Sequence, residues 1–201
     1  MGLTLQEAVT DLYRRAREQK AKTSTKRLEL LARYCVQELA ERGLDGAAME
    51  PELPGFARPK DWDVAWFHHG KVRLAISLKS LLANISGAVP NRVDDLIGEA
   101  ANLQLYSPET VIGYIMLFNV EEDEHSKKHG STWSQLLQER LRALSGRRAP
   151  HWTIGTIEAF AFVEVDFKSG PNVVSGDEPL HEMFDTLVAQ VRERNPDLPN
   201  A

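Results

Sequence analysis

Two short apolar segments separated by a tight turn constrain the fold of this chain more than any other feature. Both are rich in β-branched and aromatic residues, and the turn between them contains a glycine; the segments and the turn are residues 64–67, 72–78 and 68–71. This pattern predicts a β-hairpin. Because side chains alternate between faces along a strand, Ser77 and Lys79 should point the same way. Asp63, at the start of the first strand, can then meet Lys79 at one place.

Residues 111–118 predict a strand of a different kind. Their nearly continuous apolar run is bounded by Ser107 and Pro108 on one side and by acidic residues from Glu121 on the other. Such a run is typical of a central strand with both faces covered. Residues 157–167, with their Phe and Val content, predict a further strand.

Apolar residues recur at helical spacing in five other segments. A capping box of Thr4 and Glu7 begins the first predicted helix, and Asp177 is the predicted N-cap of the last. The second follows the N-cap candidates 23–25 and ends before Gly43. The first, third, fourth and last helices are predicted over about residues 4–19, 92–105, 132–144 and 177–195. Residues 44–60, 80–91 and 121–130 are expected to be irregular. Together these elements predict a single α/β or α+β domain with a mixed central sheet flanked by helices.

The composition fits one globular domain and excludes several classes of protein. Of the 201 residues, 42 % are hydrophobic and 26 % are charged. No segment approaches the roughly 18 to 20 uncharged apolar residues that span a bilayer. The first residues lack the basic and apolar regions of a secretory signal. A single cysteine, Cys35, excludes an internal disulfide and a Cys-based zinc site. We therefore expect a cytoplasmic protein without a membrane partner.

Charge is distributed unevenly along the chain. The net charge of −5 argues against a broadly basic nucleic-acid-binding coat. However, one short segment contains seven basic residues and a single acid, Glu18; the basic residues are Arg14, Arg15, Arg17, Lys20, Lys22, Lys26 and Arg27. Two interpretations remain open, a solvated helix face and a surface that contacts phosphates.

An acid on one strand of a hairpin and a lysine on the next suit phosphodiester hydrolysis, which needs a Mg²⁺ site and a group that activates water or offsets charge. On this basis the chain resembles the PD-(D/E)xK nuclease superfamily, and within it type II restriction endonucleases of the XhoI kind. About a quarter of the chain carries the resemblance, in the order Trp-Asp, Lys-Ser, Asn-Arg and Ile-Gly-x-Ala; these motifs lie in residues 60–63, 74–80, 91–92 and 97–100.

The resemblance implies roles for particular residues and partners. Asp63 would be the metal-binding acid and Lys79 the catalytic lysine, with Asp61 as a weaker substitute for Asp63. The implied cofactor is Mg²⁺, the implied substrate is double-stranded DNA, and the implied assembly is a homodimer that cuts both strands. The candidates for DNA contacts are Arg14, Arg15, Lys22, Lys26, Asn91 and Arg92. Within the single domain, residues 1–43 would be an N-terminal helical part, 58–168 the catalytic core and 177–195 a C-terminal helix.

This sequence departs from the family pattern at one position. Where the family has Asp or Glu two residues before the lysine, this chain has Ser77, whose neutral hydroxyl is a poor Mg²⁺ ligand. Some enzymes of the superfamily with a serine there take a carboxylate from the next helix. That helix offers Glu99 first, then Asp95 on the same stripe, and also Asp94. The second helix offers Glu29 and Glu38 as further possibilities.

Other interpretations of the same residues remain open. The acids and Lys79 can also be ordinary exposed residues of a strand and a helix. The histidines His68, His69, His125 and His129 suggest a zinc site less strongly, although the last two have helical spacing. The competing functions are a binding module with a degraded site and a nuclease subunit of a larger assembly.

Overall fold

A mixed six-stranded sheet forms the centre of the computed structural model, which describes residues 2–18 and 25–198. In chain order the strands are β1 (Ala48–Met49), β2 (Glu52–Leu53), β3 (Lys60–Asp61), β4 (Val64–His68), β5 (Lys71–Leu81), β6 (Val111–Asn119), β7 (His125–Ser126), β8 (Ser131–Thr132), β9 (Ala159–Asp166) and β10 (Asn172–Ser175). The central sheet has the order β1-β4-β5-β6-β9-β10, and β2-β3 and β7-β8 form separate two-stranded pairs.

The predicted hairpin is confirmed as the antiparallel pair β4 and β5. The turn residues His69 and Gly70 both have positive φ, at 50° and 72°, as a tight two-residue hairpin turn requires. β6 is also confirmed as a central strand: it pairs in parallel with β5 and with β9, and all nine of its residues are buried. A continuous apolar run therefore forms the strand that is covered on both faces.

The α-helices of the described residues lie on both faces of this sheet. They are α1 (Leu5–Tyr13), α2 (Glu29–Glu41), α3 (Ile85–Gln104), α4 (Trp133–Leu144) and α5 (Asp177–Arg194). A π-helical turn, Arg14–Glu18, continues α1, and a 3₁₀ turn, Thr25–Leu28, precedes α2. The capping box predicted at Thr4 is present, and Thr132 forms a second one at α4. The N-cap candidates Thr23 and Ser24 lie outside the described residues.

Two buried apolar clusters, one on each face of the sheet, form the core. The first packs α1, α2 and α5 against residues such as Val64, Ile76 and Leu78. The second packs α3 and α4 against residues such as Ala65, Ala75 and Tyr114. Alternation along β4 and β5 sends neighbouring side chains into different clusters. Ser77 and Lys79 therefore lie on the face that α3 covers.

The sequence prediction was wrong about the start of α3. The helix begins at Ile85, not near residue 92, and its interior contains Pro90. Proline removes the N–H that would bond the Ser86 carbonyl, but Ser86 is exposed, so that carbonyl can bond water. Asn84, in the left-handed conformation at φ 53°, turns the chain into the helix. The polar and small residues that predicted a loop are in fact the exposed first turns of a long helix.

Short strands account for the other differences. Residues 44–60 include β1, β2 and the start of β3, and β10 follows β9 as an edge strand. The segment 121–130 contains a 3₁₀ turn and the strand β7, which pairs with β8. Strands of only two residues carry too little hydrophobic pattern to be recognised from a sequence.

Buried ion pairs connect the start of the central strand β6 to the end of α5. The Glu158 carboxylate accepts hydrogen bonds from Arg147 Nη1 and Arg194 Nη2, each at 2.8 Å, and from the Ile112 amide at 2.6 Å. All three charged side chains are buried. The start of β6 and the end of α5 therefore meet at one fully paired carboxylate.

Among residues 2–18 and 25–198, no helix combines the length and the apolar composition that crossing a membrane requires.

Candidate active site

Asp63 lies immediately before β4, at the edge of the face that α3 covers. The β4-β5 register pairs Val64 with Ile76 and, continued by one residue, places Asp63 opposite Ser77. One carboxylate oxygen, Oδ2, accepts a hydrogen bond of 2.7 Å from the Leu78 amide. This bond fixes the carboxylate beside the second strand.

Lys79 lies two residues after Ser77 on β5 and shares its face. Its side chain is 21 % exposed, and its Nζ lies 3.3 Å from Glu99 Oε1. The lysine therefore pairs with an acid from α3. The predicted strand geometry brings Asp63 and Lys79 to the same region, but the ion pair of Lys79 is with Glu99.

Glu99 is the acid that α3 places against position 77. Its Oε2 accepts a hydrogen bond of 3.0 Å from Ser77 Oγ, and its Oε1 lies 2.6 Å from Lys60 Nζ. Only 9 % of the Glu99 side chain is exposed, so two lysines and a serine surround a mostly buried carboxylate. A carboxylate thus lies beside the strand position where the family pattern has its own acid.

The other acids predicted from α3 lie elsewhere. Asp95 is 48 % exposed and pairs with Arg92 at 2.8 Å. Asp94 is exposed as well. Among these three acids of α3, the structure brings Glu99 to Ser77 and Lys79.

The remaining acidic candidates have partners in other parts of the fold. Glu29 lies 3.4 Å from Arg15, and Glu38 lies 2.7 Å from Arg42. Asp61 is exposed on β3, next to Lys60. None of these three carboxylates contacts Ser77 or Lys79 among the described residues.

The two carboxylates of the site differ in how the fold treats their charge. Burial raises the pKa of Asp63, and the negative charge of Glu99 adds to this effect; Lys79 and the Leu78 amide offset only part of it, so the pKa stays above its usual value. Burial also raises the pKa of Glu99, but Lys79 and Lys60 lower it by more, so the net pKa lies below its usual value. The surroundings therefore destabilise the ionised form of Asp63 and stabilise the ionised form of Glu99.

Two residues of the site were not among the candidates chosen from the sequence. Lys60 belongs to the segment Lys-Asp-Trp-Asp of residues 60–63. Its position beside Asp61 was the only feature of the sequence that connected it with the site. Tyr114 is fully buried on β6 in register with Ser77, and its hydroxyl has no hydrogen-bond partner among the described residues. Burial and then the charge of Glu99 raise the pKa of that hydroxyl. A register between two parallel strands is not readable from the sequence, so Tyr114 had no signal.

The candidates for DNA contacts fall into two groups, one around α1 and α2 and one on α3. Arg14 and Arg15 both pair with Asp11, Arg15 at 2.6 Å. Lys26 is exposed, and Lys22 lies outside the described residues. Burial, and then the positive charge of Arg92 on α3, lowers the pKa of Arg27.

On α3 itself, Asn91 is exposed and donates to the Gly87 carbonyl at 3.3 Å, and Arg92 pairs with Asp95. His125 lies in β7 and His129 in the turn before β8, so their four-residue spacing does not place them on one helix.

Comparisons of the chain with known protein families, with curated proteins and with solved structures gave no match.

The opposite pKa shifts of the two acids predict opposite effects of neutralising them. The raised pKa of Asp63 means that its ionised form destabilises the fold once the pH exceeds the usual carboxyl pKa. The lowered pKa of Glu99 means that its ionised form stabilises the fold above the usual pKa, and that this stability is lost as the pH falls through the native pKa. We expect Asp63→Asn to gain stability relative to the wild type between about pH 3 and about pH 7, and Glu99→Gln to lose it.

Urea unfolding of both variants and the wild type at the two pH values measures these differences. The quantity compared is the change in each variant's free energy of unfolding between the two pH values, so any effect of the amide that does not depend on pH cancels. Equal pH dependence of the two variants would contradict the assigned electrostatics.

Proposed function

We propose that this protein is a Mg²⁺-dependent endonuclease of double-stranded DNA, of type II restriction or related genome-defence type, with a restriction-endonuclease-like fold. The observation that carries the proposal is the Glu99 carboxylate, which lies against Ser77 and Lys79 in a site that also contains Asp63. An acid, a lysine and a replacement acid are the parts that such chemistry requires.

The arrangement of elements supports the same proposal. The acid and the lysine lie on the adjacent antiparallel strands β4 and β5, α3 crosses over to the buried parallel strand β6, and helices cover both faces. This order places the acid, the lysine and the helical acid on one face. It agrees with the resemblance of the sequence to the PD-(D/E)xK superfamily.

The residues of the site fit a Mg²⁺ ion. Magnesium in proteins takes oxygen ligands, commonly one or two carboxylates together with several waters. Asp63 and Glu99 supply two carboxylates close enough for the charge of Glu99 to raise the pKa of Asp63. A cation held by both would relieve that repulsion.

Each side chain has a part in the proposed hydrolysis. A bound Mg²⁺ would polarise the phosphoryl group and offset its added negative charge. Asp63, fixed by the Leu78 amide, and Glu99, fixed by Ser77, would hold the ion. Lys79 presents an ammonium group beside Glu99, where it can orient the attacking water or stabilise the charge that the phosphate gains. A homodimer would supply two such sites, one for each strand.

One contact favours a second function. Lys60 Nζ lies 2.6 Å from Glu99, so a lysine already compensates the charge that a metal would otherwise compensate. With Ser77 in place of an acid, the same geometry suits a module that binds DNA or a partner protein without cutting it. A nuclease subunit that needs a larger assembly would also have this site.

Loss of the acid or the lysine should slow DNA cleavage strongly. We expect the wild type to cleave plasmid DNA with Mg²⁺, and Asp63→Ala and Lys79→Ala to cleave it about 10²- to 10⁴-fold more slowly, because a positioned acid–base group contributes that much. Agarose-gel assays over DNA of many sequences measure the rates. Lys71→Ala, an exposed lysine on the same strand, is the matched control and should keep full activity.

Cleavage that survives both substitutions would refute the site. Tight metal-independent DNA binding by the wild type without any cleavage would favour the module.

Moving the carboxylate back to the strand tests the role of Glu99. We expect Glu99→Ala to lower the cleavage rate and the Mg²⁺ affinity by at least about 10- to 100-fold, the range found for groups that only support a ligand. Ser77→Glu in the Glu99→Ala background should restore part of both, since it returns an acid to the same place. Asp95→Ala, one turn away and exposed, is the control. Full activity and metal affinity in Glu99→Ala would show that Glu99 is not a ligand.

A further inference from the structure

Three side chains far from the candidate active site converge at the hairpin turn. His68 Nε2 and His69 Nε2 lie 2.7 Å and 2.8 Å from the same oxygen of Asp197, Oδ2. One ligand atom from each of the three residues lies within 4.8 Å of the others. The aspartate lies 128 residues after His69, so only the fold brings the three together.

The backbone of the turn explains why two adjacent histidines point the same way. Along a regular strand, neighbouring side chains alternate between faces. His68 ends β4, whereas His69 adopts the left-handed conformation at φ 50°, which is uncommon for a residue other than glycine. The change of conformation at His69 breaks the alternation. Both imidazoles then reach one carboxylate.

Packing holds two of the three groups in place before any ligand arrives. The His68 ring stacks on Trp66 at a centroid distance of 5.6 Å and an angle of 8°, and the Trp66 indole donates to the Asp45 carbonyl at 2.8 Å. Asp197 lies in a turn closed by the Leu198 amide on the Asn195 carbonyl at 3.0 Å. The buried Asn195 amide in turn donates to the Val191 carbonyl of α5 at 2.7 Å.

Two imidazole nitrogens and a carboxylate oxygen form the donor set that zinc and its neighbouring transition metals prefer, whereas Mg²⁺ prefers oxygen alone. Zinc bonds of about 2.0–2.2 Å place tetrahedral ligands about 3.3 Å apart. The two N–O distances therefore need to open only slightly.

We propose that His68, His69 and Asp197 bind one divalent transition-metal ion, with Zn²⁺ as the expected ion, at a site separate from Asp63 and Glu99. The ion replaces the protons that the imidazole Nε2 atoms share with the carboxylate. His69 and Asp197 are 73 % and 52 % exposed, so water completes the coordination. The ion joins the hairpin turn to the segment after α5, and its binding stabilises the fold by an amount that rises with the logarithm of the free Zn²⁺ concentration once this exceeds the Kd.

The test is calorimetric titration of Zn²⁺ into the metal-stripped full-length protein. The expected result is one ion per chain that Asp63→Asn retains and that Asp197→Asn and His69→Asn bind at least about tenfold more weakly, since each of these two loses one of three ligands. Asparagine is chosen at position 69 because it tolerates the left-handed backbone. His129→Asn, an exposed histidine in another turn, is the matched control and should bind as the wild type does.

A second arm separates this site from the proposed nuclease site. Asp63→Asn should keep the Zn²⁺ affinity of the wild type, whether or not the protein cuts DNA. Zn²⁺ should raise the melting temperature of the wild type and of Asp63→Asn but not that of Asp197→Asn. Absence of stoichiometric binding, or binding unchanged in both Asp197→Asn and His69→Asn, would reduce the three residues to a hydrogen-bonded group only.

Discussion

The contacts of one carboxylate, Glu99, connect the parts of the fold on which the candidate site depends. Three side chains from the strands contact this carboxylate of α3: Ser77 and Lys79 on β5, and Lys60 on β3. Without these partners a mostly buried carboxylate would be costly, because an unpaired charge loses its hydration. The serine at position 77 therefore has a structural role even though it is a poor metal ligand: its hydroxyl orients the acid that lies above it.

The same site contains an acid that the fold tolerates less well. Burial and the charge of Glu99 raise the pKa of Asp63, and Lys79 offsets only part of this rise. A pair of unequal carboxylates is typical of a site built for a ligand, since groups arranged for chemistry are often poorly compensated when the ligand is absent. The unpartnered Tyr114 hydroxyl is a second cost of the same kind. The histidine cluster at the hairpin turn differs, because its three groups satisfy one another.

Much of this arrangement could be predicted from the sequence, for identifiable physical reasons. The period of two placed Ser77 and Lys79 on one face, and the continuous apolar run predicted β6 as a covered central strand. The sequence placed Glu99 and Asp95 on one stripe of the helix, but which of them is buried depends on how the helix crosses the sheet, which the sequence does not show. The early start of α3 at Ile85 was hidden by Pro90 and by polar residues on its exposed turns. The closeness of Asp197 to His68 and the register of Tyr114 with Ser77 depend on tertiary packing, which no local pattern encodes.

The proposed nuclease function requires that Asp63 and Glu99 hold one metal ion between β4 and α3. This can be tested by anomalous diffraction from a crystal of the wild-type protein soaked in Mn²⁺, which takes the same oxygen ligands as Mg²⁺. We expect one anomalous peak in contact with carboxylate oxygens of both Asp63 and Glu99, with Lys60 displaced from Glu99. A fully soaked crystal with no peak at this position, and with Lys60 still bonded to Glu99, would refute the proposed metal site.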